Sequence, residues 1–171
     1  MRTGCHDMNS YCIRSATRAD VEAIKAILNY YIEHSTVIFI MKPQTLEERL
    51  AWFDAHSPEH PVTVVEVAGS VVGWGALSPF RPQAAYARTA ELSIYIQHDF
   101  IGRGLGRAIL SDLIARARAA GHHVLLGVCC SDAVSSIGLL ESFGFTRVGH
   151  FREVGRKFDR WLDVVFLQLV L

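Results

Sequence analysis

The sequence predicts a mixed α/β domain built on a single sheet, and three observations carry that expectation. Strand-like and helix-like runs interleave along the chain in the order β-α-α-β-β-β-α-β-α-β-β. Half of the 171 residues are hydrophobic and a fifth are charged, which suits a packed core rather than a disordered chain. No repeat, low-complexity tract or linker interrupts residues 11–171, so they read as one domain. Residues 1–10 are polar and are expected to be a loose terminus.

The elements follow in order. Tyr11–Arg14 reads as a short strand. In TRADVEAIKAILNYYIEH, Val21, Ile24, Ile27, Leu28 and Ile32 recur at helical spacing, with Thr17 as N-cap and Asp20 in the first turn. STVIFIMKP is apolar but ends at a proline, which makes it a loop or a short extended piece. TLEERLAWFDAH is a second helix, with Thr45 and Glu48 spaced as a capping box. PVTVVEVAGSVVGWGALSPF holds two β-rich runs around Ala68-Gly69-Ser70, a hairpin signal, and Pro79 and Pro82 end the second run. TAELSIYIQ is a further strand. GLGRAILSDLIARARAAG is a strong helix, with Leu105, Ile109, Leu113 and Ile114 on one face and Gly121 as its stop. HHVLLGVCC has the look of a buried strand. DAVSSIGLLESFGF is a short helix ending at Gly144, and TRVGHFREVG and WLDVVFLQLVL are the final strands.

Bulk properties narrow the function classes. Seventeen Lys and Arg balance seventeen Asp and Glu, so no basic excess points to nucleic acid or an anionic membrane surface. No apolar run approaches the roughly 18 residues of a membrane span, and the first ten residues lack the apolar stretch of a signal peptide. The expected compartment is the cytoplasm. Four cysteines in such a chain do not suggest a disulfide framework. Cys129 and Cys130 are adjacent, so on a strand they point to opposite faces. Cys5, His6, Asp7 and Cys12 lack a recognised ligand spacing, and no metal is expected.

The chemistry-bearing feature is FIGRGLGRAIL, between a strand and a helix. Glycines let a backbone approach a ligand closely, and a helix start offers free N–H groups and a positive dipole end. Together they suit a diphosphate, with Arg103 and Arg107 available for charge-assisted bonds. A Walker A loop would need Lys-Ser/Thr after the last glycine, and a dinucleotide fingerprint would need GxGxxG in the first βα unit. The spacing here is Gly102-x-Gly104-x-Gly106, and neither pattern fits. A tight turn with no ligand explains the glycines equally well when they are taken alone.

Alongside this loop, HSTVIFIMKPQT, AYARTAELSIYI, GRGLGRAIL, SSIGLLESFGF and VGRKFDRWLDVVFLQ occur in a characteristic order covering nearly the whole chain from Tyr11. The chain thereby resembles the GNAT superfamily of acetyltransferases, and more narrowly its phosphinothricin and methionine sulfoximine N-acetyltransferase group. The resemblance implies a mixed sheet, flanked by helices, that splays between two parallel central strands. It implies acetyl-CoA lying in the splay, with its pyrophosphate on the glycine loop. It further implies direct transfer to a small amino-acid-like amine, without a covalent acyl-enzyme, and a homodimer.

Acetyl transfer needs an amine stripped of its proton and a thioester carbonyl polarised as charge builds on its oxygen. Glu91 is the candidate base. In ELSIYIQ it shares one strand face with Ser93, Tyr95 and Gln97, while Leu92, Ile94 and Ile96 share the other. A solvated or ion-paired glutamate at a strand start has the same pattern; the matching family glutamate favours the catalytic role. The resemblance also implies cofactor contacts from the backbone of Ile94, Tyr95 and Ile96, from Gly102, Arg103, Gly104, Leu105, Gly106 and Arg107, and from Ser136. It places Phe39, Tyr86 and Thr89 at the acceptor pocket, and Arg81 is the substrate-binding candidate nearby in sequence. Several positions depart from the family pattern. Ile101 stands where Gln or Arg is frequent, Ala133 where Asn is usual, and Leu140 where a His is found. On the acceptor side Ile40 replaces an acidic residue and Gln83 an Arg, with Arg81 two residues earlier. The acetyltransferase expectation therefore rests on more residues than any particular acceptor does. Another amine, or acyl-CoA binding without catalysis, stays open.

Overall fold

A computed structural model describes residues 10–171. Cys5, His6 and Asp7 lie outside the described residues. Among the described residues no three His, Cys, Asp or Glu side chains are grouped to hold a metal.

The elements are β1 (Tyr11–Ser15), α1 (Val21–His34), α2 (Leu46–Asp54), β2 (Val62–Val67), β3 (Ser70–Pro79), β4 (Thr89–Ile96), α3 (Leu105–Ala119), β5 (Val124–Cys130), α4 (Val134–Glu141), β6 (Thr146–Lys157) and β7 (Arg160–Val170). The predicted order of strands and helices is the observed one. Of the boundaries that differ, three have a local cause. Thr17 caps a 3-10 turn, Arg18–Asp20, and α1 starts only after it, because Asp20 folds back to accept from the Thr17 N–H at 2.6 Å. α4 stops at Glu141; Ser142 and Phe143 form a turn that reaches Gly144, whose φ of +88° suits glycine. β6 continues to Lys157, past two register irregularities that a period-2 reading cannot follow.

Local chemistry accounts for the ends that were read correctly. Thr45 Oγ1 accepts from the Glu48 N–H at 3.2 Å, and the Glu48 carboxylate accepts from the Thr45 N–H at 2.8 Å, closing the capping box of α2. Ala68 and Gly69 both have positive φ, as a two-residue hairpin turn between β2 and β3 requires. The segment between α1 and α2 carries no helix or strand.

All seven strands form one sheet in the order β1-β2-β3-β4-β5-β7-β6. Every neighbouring pair is antiparallel except β4 and β5. Alternation along the strands sends side chains to two cores. On one face Ile24, Leu28 and Ile32 of α1 pack on Trp74 and Ala76 of β3. On the other, Ile109, Leu110 and Leu113 of α3 pack with Leu77, Leu92, Leu125 and Leu167. α3 lies close against β3: a Cβ on Gly75 would meet the side chains of Ile109 and Leu113. None of the described helices is long and apolar enough to cross a membrane.

Candidate active site

The parallel pair opens the site. β4 and β5 pair only from Thr89 with Val124 to Leu92 with Gly127. Beyond that point β5 stays with β7 as far as Cys130 opposite Val164, while β4 stays with β3. The two strands separate into a V, and a cavity of about 570 Å³ fills it. Its walls are β4 from Glu91 to Ile96, the glycine turn, the end of β5 and the start of α4.

The V leaves β4 backbone groups without a sheet partner. Alternate residues of a strand aim N–H and C=O at opposite edges. The Gln97 N–H donates to the Val72 carbonyl at 2.8 Å, so residues 93, 95 and 97 address β3. The N–H groups of Ile94 and Ile96 therefore face the opening. The Ile96 carbonyl on that edge accepts from the Tyr31 hydroxyl at 2.6 Å. The Tyr95 backbone belongs to the β3 ladder, and its ring centroid lies 4.9 Å from that of Trp74.

The glycine turn is a cradle of backbone donors. Gly102 and Gly104 take φ of +81° and +79°, and a Cβ on either would point into open space. The first hydrogen bond of α3 runs from the Ala108 N–H to the Gly104 carbonyl, 3.1 Å. The N–H groups of Leu105, Gly106 and Arg107 precede it and have no helical acceptor. These groups fit a diphosphate, since the helix N-terminus adds positive dipole where they converge. Gly102, Gly104, Leu105 and Gly106 line the cavity. Arg103 and Arg107 do not. Arg103 donates to the Asp99 carbonyl at 3.1 Å and stacks on Phe100, and Arg107 donates to Ser142 Oγ at 3.1 Å and stacks on Phe143. Ser136 lines the cavity from α4.

Glu91 stands on the cavity wall at the apex of the V. It is half-buried, and burial alone raises its carboxyl above the usual carboxylate range. A group with that bias accepts an ammonium proton more readily than an exposed glutamate. The acceptor side is less complete. Phe39 lines the cavity from the α1–α2 loop. That loop is tied down by the buried Lys157, whose Nζ donates to the Ile38 carbonyl at 2.9 Å. Thr89 is two residues before Glu91 on the same strand face, outside the cavity wall. Arg81 and Tyr86 are exposed and close to each other, the guanidinium 5.9 Å from the ring, and they too lie outside the wall.

Sequence reasoning missed the β5 side of the cavity. Gly127, Val128, Cys129 and Cys130 all line it. Burial pushes the Cys129 thiol up to about 11, so it stays protonated and weakly nucleophilic at neutral pH. One signal was available in Gly127, since a glycine inside a strand marks a close approach. Here the approach is by Leu140 of α4, whose side chain occupies the space a Cβ would need.

Residues 13–166 match the family model described as an acetyltransferase (GNAT) domain. The chain belongs to the GNAT acetyltransferase family. It is similar to the L-methionine sulfoximine/L-methionine sulfone acetyltransferase of Pseudomonas paraeruginosa, 41% identical over 164 residues that cover 95% of each chain. Among solved structures, an N-acetyltransferase from Staphylococcus aureus Mu50 superimposes with a TM-score of 0.91 at 38% identity, covering 94% of this chain and 98% of the other. A GNAT superfamily phosphinothricin acetyltransferase from Sinorhizobium meliloti, in complex with acetyl-CoA, does so with a TM-score of 0.90 at 31% identity, covering 94% and 88%. This GNAT protein is an acetyltransferase.

Proposed function

We propose that this GNAT enzyme transfers the acetyl group of acetyl-CoA directly to the primary amine of a small amino-acid-like acceptor, of the methionine sulfoximine or phosphinothricin type. The observation that carries the reading is the half-buried Glu91 carboxylate at the apex of a cavity that also holds a diphosphate-fitting cradle. The Leu105, Gly106 and Arg107 N–H groups would hold the pyrophosphate. The Ile94 and Ile96 N–H groups face the opening, where they can polarise the thioester carbonyl. Glu91 takes a proton from the acceptor ammonium, directly or through one water, and the free amine attacks the carbonyl carbon. The C–S bond breaks as the amide forms, and the thiolate takes up a proton from the medium. The Cys129 thiol, held protonated, does not compete as an acyl acceptor.

The narrower choice of acceptor is supported by the methionine sulfoximine and phosphinothricin enzymes that the chain resembles along almost its whole length. With Ile40 and Gln83 in place, Arg81, two residues before Gln83, is the guanidinium assigned to an acceptor carboxylate. Arg81 would have to swing in from its present position beside Tyr86. A homodimer is part of the same reading. The exposed Phe151, Val154, Phe158 and Trp161 of the β6–β7 hairpin support it, as apolar side chains that a second copy would cover.

The test is acetyl-CoA-dependent modification of an amine panel that includes methionine sulfoximine, methionine sulfone, phosphinothricin, ordinary L-amino acids, a polyamine and a peptide N-terminus. Turnover concentrated on the first three supports the reading. Cofactor binding without turnover on any amine overturns it.

A further inference from the structure

Acetylation of an ammonium releases one proton for each turnover. Two protons leave the nitrogen, one ends on the thiol and one must reach bulk water. With Glu91 as the base, that proton begins on a half-buried carboxyl on the wall of the cleft that both substrates enter. A route on the other side of Glu91 would carry it clear of them.

We infer that Ser78 and His56 form that route, carrying the proton from Glu91 along its own face of the sheet to solvent. The inference rests on Glu91 as the base. In the β3–β4 ladder Ser78 stands directly opposite Glu91, which puts both side chains on the same sheet face. Opposed Cβ atoms on antiparallel strands are roughly 4.5–5.5 Å apart, within reach of one bridging water at most. Ser78 Oγ lies 3.5 Å from His56 Nε2. The other ring nitrogen, Nδ1, lies 2.8 Å from the Trp52 carbonyl, which can only accept, so Nδ1 carries the hydrogen and Nε2 presents its lone pair to Ser78. His56 is half-buried, two residues beyond the end of α2.

The charges around the ring suit a group that receives a proton and does not keep it. Arg49 of α2 is buried over the Trp52 ring with its Nε and Nη2 unpartnered, and it faces His56 without a counter-ion. His60, in the segment after α2, faces it from that side, and Glu91 faces it only through Ser78. Burial, the largest cause, holds His56 below the ordinary histidine value; its bond to the Trp52 carbonyl comes next and works the other way, and Arg49 adds a smaller lowering. The ring is thus neutral at neutral pH. The transfer breaks the Glu91 Oε–H bond toward Ser78 Oγ while the Ser78 hydroxyl hydrogen passes to His56 Nε2. The imidazolium then turns Nε2 away from Ser78, releases that proton to solvent and returns, and the serine hydroxyl has been renewed. Ser78 and His56 are positioning residues in this scheme, since neither touches substrate.

The test is steady-state kinetics of His56→Asn, Ser78→Ala and Glu91→Gln in a weak buffer at pH 6.5–8, with and without added imidazole. Asparagine keeps a donor for the Trp52 carbonyl and removes the Nε2 acceptor. The expected result is a kcat at least fivefold lower in both His56→Asn and Ser78→Ala, restored by imidazole, with KM for the amine, acetyl-CoA affinity and melting temperature unchanged. Wild type should show no imidazole dependence. Wild-type kcat in either relay variant overturns the route, as does a loss that imidazole does not restore. Full activity in Glu91→Gln overturns the base assignment and the route with it. Inactive Glu91→Gln beside unimpaired relay variants overturns the route alone.

Discussion

Phe39 and Gly155 share one volume: the Phe39 ring occupies the space that a Cβ on residue 155 would need. With the Lys157–Ile38 hydrogen bond, this contact fastens the acceptor-side loop to the end of β6. Gly155→Ala should push the ring out and loosen that wall of the cavity. The expected outcome is a several-fold higher KM for the amine with unchanged affinity for acetyl-CoA, read by kinetics and calorimetry. A change confined to acetyl-CoA affinity would place Phe39 elsewhere in the reaction.

Gly104→Glu addresses the cradle. A non-glycine residue in the left-handed region costs about 1–2 kcal/mol, and the new carboxylate would project beside the helix N-terminus where a diphosphate is expected. Coenzyme A affinity should fall by more than tenfold while circular dichroism stays that of the folded protein. Unchanged affinity would refute the cradle.

Glu91 should set the acidic limb of the pH profile. Its carboxyl is shifted upward by burial, so the base form is lost at a higher pH than for an exposed glutamate. The kcat/KM for the amine should therefore fall on acidification from a point above the usual carboxylate range. Glu91→Gln should remove that limb and lower kcat by about a hundredfold. A profile identical in wild type and variant would reassign the limb.

Asp20 links pH to stability. The Arg14 guanidinium holds its carboxylate at 2.7 and 2.8 Å, and with the Thr17 N–H and hydroxyl lowers its pKa from 3.8 to about 2. A depressed folded-state value means stability that is fully present above the unfolded value near 4 and lost as pH falls toward 2. Thermal melts should show about 2 kcal/mol lost across that window. Asp20→Asn should be destabilised by a similar amount at pH 7 and show a flatter acid dependence. An acid dependence equal to wild type would mean that another group controls it.

Much of this molecule was legible one residue at a time. The Thr45/Glu48 box, the Ala68-Gly69 turn and the stop at Gly121 are local, because each depends on atoms only a few residues apart. The strand faces of β4 were legible for the same reason: Ile94 and Ile96 pack on the α3 core, and Tyr95 on the Trp74 core. The extended β6 was not, because its two irregularities break the period-2 pattern on which such a reading depends. Arg103 and Arg107 follow similar logic. Their spacing from the glycines suggested phosphate partners, but Asp99, Ser142 and two aromatic rings hold them outside the cavity wall, and only the fold brings those groups near.

By itself the sequence determined the order of elements, the turn glycines, the cap of α2 and which face of β4 carries Glu91. These follow from short-range sterics and hydrogen bonding. Only the tertiary structure decided where the sheet opens, that the backbone of Ile94 and Ile96 rather than Tyr95 faces the opening, and that Gly127 and Cys129 complete the wall. It also placed His56, 22 residues away in sequence, beside Ser78. Those relationships depend on where β4 parts from β5 and on how α2 packs across the sheet. The responsible contacts join residues far apart along the chain, and no local pattern records them.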